Sequence, residues 1–339
     1  MDYQRIAVLL GLAVTSYLLI LAWNNDYGNQ VPTEEVVQSE APVFTQNTDD
    51  IPSSIPTNDI SDVVPKIDSS NLDLDSASVK TIDQHITVRT DVLDVTIDLK
   101  GGDIVQVALP KYPANIDTPE VPFLLVDPRN NYTAQSGLIG PNGIDKSGNR
   151  PVFLSSSKSY ELGEEEELNI ELTLQDQTGL LVKKQFVFRR GDYLFDVNYL
   201  LDNNTSVDAQ VAFFSQIKRD AQAPKGQDTN AMGLRPFVGG ATRSSDELYK
   251  KLDFEDVEEE GYKAKIEGGY IAMVQHYFVS AWVPVGNGAF SYQARKLSNQ
   301  DTYLFGFTTP LMTVISGGSA KIGAQYYAGP KDQYRLEEI

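Results

Sequence analysis

Cysteine is absent from this chain, and histidine occurs only twice, at His85 and His276. The first absence excludes disulfides, thiolate metal sites and a cysteine nucleophile. It fits a large exported domain held together by its core, although a cytosolic protein can lack cysteine too. The second leaves little material for imidazole metal clusters or for a histidine-based relay. Basic residues are also scarce, 28 Lys and Arg against 47 Asp and Glu, for a net charge of −19. A surface of that sign repels phosphate backbones and anionic headgroups, which excludes nucleic acid as a partner. The imbalance is uneven: residues 1–80 hold twelve acids and three bases. Neither G-x-S-x-G, nor a P-loop, nor H-E-x-x-H occurs, so no common hydrolase, nucleotide or zinc-protease motif is in place. No cofactor motif is present either.

What the chain does have, at its start, is an 18-residue apolar run from Ile6 to Trp23, interrupted only by Thr15, Ser16 and Tyr17. At helical rise it spans about 27 Å, close to the hydrocarbon core of a bilayer. Only a helix satisfies its backbone there, so it reads as one transmembrane anchor, with Trp23 placed as an interfacial aromatic. A cleaved signal peptide is the competing reading. The run exceeds the usual core of about 7–15 residues, and no A-x-A-like site follows Trp23. Arg5 and the amino terminus precede the run, whereas no Lys or Arg follows until Lys66. Positive charge stays on the cytoplasmic side, so residues 1–5 are expected inside and the rest outside.

From Asn24 to Ser78 the composition is that of a disordered tether. Pro32, Pro42, Pro52, Pro56 and Pro65 punctuate it, acids are frequent, and no apolar face persists. Such a segment buries too little surface to offset its ordering entropy.

After about Val79 the pattern changes to period two, and residues 79–339 read as one mainly β domain. Leu93, Val95, Ile97 and Leu99 alternate with polar residues before Gly101-Gly102. Leu168, Ile170, Leu172 and Leu174 alternate likewise, as do Tyr193, Phe195, Val197, Tyr199 and Leu201 before Asp202-Asn203-Asn204. Strict alternation puts one face of each strand on a core and the other toward a polar medium. Further turns are marked at Gly140–Gly143, Gly191-Asp192 and Gly286–Gly288. Many antiparallel strands punctuated this way predict a large sandwich. One helix is predicted over Asp246–Leu252, from the capping-box spacing of Ser244 and Glu247 and the acids at its start.

Chemical signals in this domain are weak. His276 lies in an apolar run, where a packed histidine is the ordinary case. Ser155–Lys158 matches S-x-x-K, but so does Ser215–Lys218, and neither the S-D-N nor the K-T-G partner motif accompanies them. The acidic run Glu164–Glu167 could offer oxygens to Ca²⁺, yet consecutive acids at a hairpin are usually solvated. Asn131-Tyr132-Thr133 and Asn203-Asn204-Thr205 are sequons, meaningful only in a glycosylating host.

One block stands apart: Gly268-Gly269-Tyr270-Ile271-Ala272-Met273-Val274-Gln275-His276-Tyr277-Phe278-Val279-Ser280-Ala281-Trp282-Val283-Pro284. By periodicity it is a buried strand pair or a short buried helix. It resembles the GGW-x-AM-x-Q-x-YF-x-x-AW-x-P block of the YidC family of bacterial membrane protein insertases. Collinear likenesses support this. They are Met1-Asp2-x-Gln4-Arg5 before the apolar run, Leu93–Asp98 with Gly101-Gly102-Asp103, and Leu109-Pro110-x-Tyr112-Pro113. Ala134–Leu138, Phe188–Tyr193 and Tyr327–Lys331 follow in order, and only the tether departs from the family.

The resemblance implies an inner-membrane insertase and chaperone of the Gram-negative type. It implies a first span, then a periplasmic β-supersandwich similar to galactose mutarotases, then five further spans that carry the insertase groove. It implies the Sec translocon with its accessory subunits, nascent membrane proteins and the lipid bilayer as partners. Gly268, Gly269, Gln275, Tyr277, Phe278, Trp282 and Pro284 are then structural motif residues, and Ile6 and Trp23 bound the anchor. The expected role of this region is anchoring and scaffolding without catalysis. The alternative is a tethered carbohydrate-binding or mutarotase-like module, which rests on fold likeness alone.

Overall fold

The computed structural model describes residues 84–337, leaving out 116, 146–149, 175–178, 223–235, 244–246, 287 and 299. The expected anchor with Ile6 and Trp23, the tether and residues 79–83 lie outside the described residues.

Period-two alternation becomes strand almost throughout. In chain order the strands are β1 (His85–Arg89), β2 (Asp94–Asp98), β3 (Asp103–Asn115), β4 (Thr118–Val126), β5 (Thr133–Ile139), β6 (Phe153–Leu154) and β7 (Ser159–Glu161). Then come β8 (Glu167–Leu174), β9 (Leu180–Arg189), β10 (Leu194–Asn203), β11 (Ala209–Arg219), β12 (Gly239–Thr242) and β13 (Lys250–Leu252). The last are β14 (Tyr262–Glu267), β15 (Ile271–Val274), β16 (Phe278–Pro284), β17 (Ala289–Lys296), β18 (Tyr303–Thr308), β19 (Met312–Val314) and β20 (Ser319–Pro330). Two short α-helices, α1 (Phe254–Glu259) and α2 (Gln333–Glu337), and a single 3-10 turn at Pro128–Asn130 complete the described residues.

The strands form two sheets. The first runs β14-β17-β18-β11-β5-β3-β2-β1-β7, with β19 also on β11 and β4 also on β3. The second runs β13-β12-β15-β16-β20-β10-β9-β8-β6. Every described strand ladder is antiparallel except β1 with β7. Inward residues of both sheets make one core, in which Ile97, Leu109, Phe186, Phe195, Phe213, Trp282 and Phe305 are fully buried. The Tyr199 ring of β10 meets the Phe213 ring of β11 at 6.0 Å, edge to face, so the inner faces interdigitate as in other packed sandwiches. This is the antiparallel sandwich that the alternation predicts.

The predicted helix over Asp246–Leu252 is corrected. Ser244 and Asp246 lie outside the described residues, and Lys250–Leu252 is strand β13, paired with β12 through Gly240↔Leu252 and Thr242↔Lys250. The helix starts after Asp253 instead, with Glu255 and Asp256 in its first turn at the positive end of its dipole. Pairing with β12 and burial of Leu252 outweigh the local capping spacing, because propensity is a weak prior against tertiary packing.

Candidate functional site

The block 268–284 is a β-hairpin wedged into the second sheet. Gly268 (φ 62°) and Gly269 (φ 88°) form the entry bend, a region that an L-residue adopts only with strain. Tyr292 donates to the Gly268 carbonyl at 2.5 Å and holds that bend. Strands β15 and β16 then pair through Ile271↔Trp282 and Val274↔Val279, and β16 pairs β20 with Pro284 opposite Ala324.

Each motif side chain has a distinct contact. Trp282 is fully buried, packs on Tyr326 at 4.7 Å, and donates its indole N–H to the Gln216 carbonyl of β11 at 3.2 Å. That bond crosses from one sheet to the other. Ser280 bonds Tyr132, the residue just before β5, hydroxyl to hydroxyl at 2.5 Å. Phe278 stacks on Phe123 at 4.3 Å and meets Tyr112 edge-on at 5.2 Å, so the hairpin also supports the β3–β4 arm. Gln275 is buried and donates Nε2 to the Leu125 carbonyl at 3.2 Å. Tyr277 alone faces outward, 66% exposed, with the His276 ring stacked on it at 3.8 Å. The Tyr277 carbonyl accepts from the Lys331 amide at 2.8 Å, tying this turn to the end of β20.

A second centre is one that sequence reasoning missed. Strand β5 pairs β3 only at Ile104↔Ala134, so the rest of that β5 edge has no strand beside it. Charged side chains occupy it instead. Asp145 accepts from the Leu138 amide at 2.8 Å, while Arg150, Lys184 and Tyr199 all donate to the Ser136 carbonyl at 3.1, 3.3 and 3.0 Å. Arg150 also bridges Asp103 and Asp145, and Lys184 donates to the Gly101 carbonyl at 3.0 Å. All of these side chains are buried. Burial lowers the Lys184 ammonium to about 7, against the pull of Asp103 and Asp145. It raises the Asp145 carboxyl, although Arg150 beside it favours the charged form. Gly101 and Gly102 make room for the long side chains. A Cβ on Gly101 would fall 2.5 Å from Arg150 Nε, and one on Gly102 would fall 2.7 Å from Lys184 Cδ. Paired carboxylates and cations in a closed core can staple sheets together, but they offer no open face to a substrate.

A third feature is a cavity of about 300 Å³ beneath the β3–β4 arm, which Arg219, Gln275, Asn130, Tyr132 and Phe123 help to line. The remaining sequence candidates are dispersed. His85 lies in β1, in the other sheet from the hairpin that carries His276. Ser155 is hydrogen-bonded to Ser157 and Tyr160, and Ser215 and Lys218 lie three apart on β11, on opposite faces of the strand. The Glu164–Glu167 carboxylates are exposed, with Glu166 near Arg190 and Glu167 near Arg189.

Comparison with known proteins gives this architecture a lineage. A profile described as the YidC periplasmic domain matches residues 85–339. The chain belongs to the YidC family. It is 42% identical over 347 residues to the membrane protein insertase YidC of Cellvibrio japonicus (strain Ueda107), covering all of this chain and 60% of that protein. It is 40% identical over 355 residues to the Alcanivorax borkumensis insertase, again over all of this chain and 60% of the relative. The chain thus spans about 60% of the length of these family members. Among solved structures it is similar to a galactose mutarotase related enzyme from Lactobacillus acidophilus, at 8% identity and a TM-score of 0.47, covering 72% of this chain and 97% of the other. A galactose mutarotase-like protein from Lactobacillus casei gives 9% identity and a TM-score of 0.44, covering 73% and 99%.

Proposed function

We propose that this chain is the anchoring and periplasmic part of a bacterial inner-membrane protein insertase, acting as a non-catalytic scaffold. The observation that carries the reading is the match of residues 85–339 to the family's periplasmic domain. The geometry supports it: the motif residues Trp282, Phe278 and Gln275 are used in packing and cross-element hydrogen bonds. The run Ile6–Trp23 serves as the first span, with the amino terminus in the cytoplasm and the sandwich outside. Hosting apolar segments in a partly hydrated groove, the work of an insertase, avoids the cost of unpaired backbone in hydrocarbon. That groove belongs to the later spans of the family's longer members, and nascent membrane proteins are the substrate class. Through its sandwich the chain engages the Sec translocon and its accessory subunits.

Topology and partnership are tested together in a Gram-negative host. Alkaline phosphatase fused after Ile339 is expected to be active, and a cytoplasmic reporter at that point inactive. Affinity capture from solubilised membranes is expected to retain translocon subunits. An inactive phosphatase fusion contradicts the orientation, and capture without translocon contradicts the partnership.

A further inference from the structure

Strand β14 ends the first sheet, and its outer edge has no neighbouring strand among the described residues. Its register with β17 decides which backbone groups that edge presents. Gly268 donates its amide to the Gly288 carbonyl, continuing the register in which Ala264 faces Tyr292 and Ile266 faces Phe290. Opposed residues of an antiparallel pair alternate between bonded and non-bonded, so Tyr262, Ala264 and Ile266 direct their backbone groups at β17. The N–H and C=O groups of Lys263, Lys265 and Glu267 therefore point to the open side.

The side chains say what that edge accepts. Lys263, Lys265 and Glu267 are exposed on one face, while Ile266 is buried and Tyr262 and Ala264 are half-buried on the other. Neither ammonium has a hydrogen bond or ion pair among the described residues. Both line a groove of about 400 Å³ with Ser291, Gln293 and Thr308. Edge lysines keep neutral and basic strands away, but two of them at a spacing of two attract a strand with acids at that same spacing. The other open edges do not match. β7 and β13 are three residues long, and β8, covered by β6 only at Thr173 and Leu174, carries Glu167 and Glu171.

The chain itself contains the complementary strand. Asn71-Leu72-Asp73-Leu74-Asp75, in the acidic tether, alternates acids and leucines with period two. Laid antiparallel on β14, Asp73 falls opposite Lys265, Asp75 opposite Lys263 and the neutral Asn71 opposite Glu267. On the inner face, Leu72 then falls beside Ile266 and Leu74 beside Ala264. Reach decides which copy supplies it. Nine residues lead from Asp75 to Gln84 beside β1, at most about 32 Å when fully extended. A strand beyond β14 lies eight interstrand spacings from β1, about 38 Å over the sheet. A chain cannot reach its own β14 edge in this register.

We propose that residues 71–75 of a second copy add as an antiparallel strand to the open edge of β14, with Asp73 and Asp75 paired to Lys265 and Lys263. Backbone hydrogen bonds hold the added strand, and the alternating acids select it.

The absence of cysteine from the chain makes the test direct, because an introduced pair is then the only source of a disulfide. Asn71→Cys is placed in one tagged full-length copy and Glu267→Cys in a differently tagged one, in the same membranes, and a mild oxidant is added. The two positions face each other in the proposed register, about 5.5 Å apart at Cα and within disulfide range. A covalent dimer carrying both tags is expected. Lys263→Glu with Lys265→Glu is expected to cut its yield about tenfold at an unchanged melting temperature. Adding Asp73→Lys and Asp75→Lys to the other copy is expected to restore it. No dimer, or an equal yield when Ser54→Cys replaces Asn71→Cys, overturns the proposal. A failure of the reversed charges to restore the yield overturns the pairing. A variant carrying both cysteines that closes within one chain rather than between two overturns the second-copy assignment.

Discussion

Lys184 of β9 reaches across the sandwich and donates to the Ser136 carbonyl of β5 at 3.3 Å, supplying a hydrogen bond where β5 has no neighbouring strand. A cation thus stands in for backbone, deep in the core. Its consequences are measurable.

Lys184 is held near 7 by burial, against an ordinary value of 10.5 that it regains on unfolding. Between those values the unfolded chain binds more protons than the folded one, so stability rises with pH. The penalty is present in full below about 7 and is relieved as pH rises from there. Buried Tyr132, raised to about 12, acts in the opposite sense once free tyrosine ionises near 10.0. The unfolding free energy from urea titrations is therefore expected to climb between pH 7 and about 9.5, by at most about 1.4 kcal/mol per pH unit. Lys184→Met is expected to flatten that rise, and an unchanged slope would contradict the assignment.

Arg150 bridges Asp103 and Asp145 with all three side chains buried. Arg150→Met strands two carboxylates, and breaking a buried pair this way costs about 3–5 kcal/mol. Adding Asp103→Asn and Asp145→Asn to that variant is expected to recover part of the loss. Equilibrium denaturation of the single and triple variants measures both effects, and simple additivity of the losses would sink the coupling.

Trp282 fills the core and donates across it to Gln216. Trp282→Ala is expected to cost about 3–5 kcal/mol through lost burial and a cavity. Trp282→Phe keeps much of the volume and loses the cross-sheet bond, for about 1 kcal/mol beyond the smaller packing loss. An unchanged denaturation midpoint in the alanine variant would show that the residue is not core.

Much of the fold was legible because alternation in Leu93–Leu99, Leu168–Leu174 and Tyr193–Leu201 reports directly which side of a strand meets the core. The hairpin at 268–284 was legible as an apolar strand pair, and its wording carried the family. The helix was misplaced because Ser244 and Glu247 describe a local cap, whereas β13 is dictated by its partner β12. The charged centre was not legible. Asp103, Asp145, Arg150 and Lys184 come from three separate segments, β3, the β5–β6 connection and β9, each resembling a surface charge until the sheets bring them together. The cavity beneath β4 was hidden for the same reason: Asn130, Arg219 and Gln275 meet only through long-range topology.

The central claim, that this chain is the front part of a working insertase, is tested most directly by a chimera. The chain is joined to the portion of the Cellvibrio japonicus relative that it does not cover and expressed in cells depleted of their own insertase. Restored growth, with restored membrane insertion of a reporter protein, is the predicted result. A chimera that is stably produced and membrane-localised yet restores neither would contradict the account.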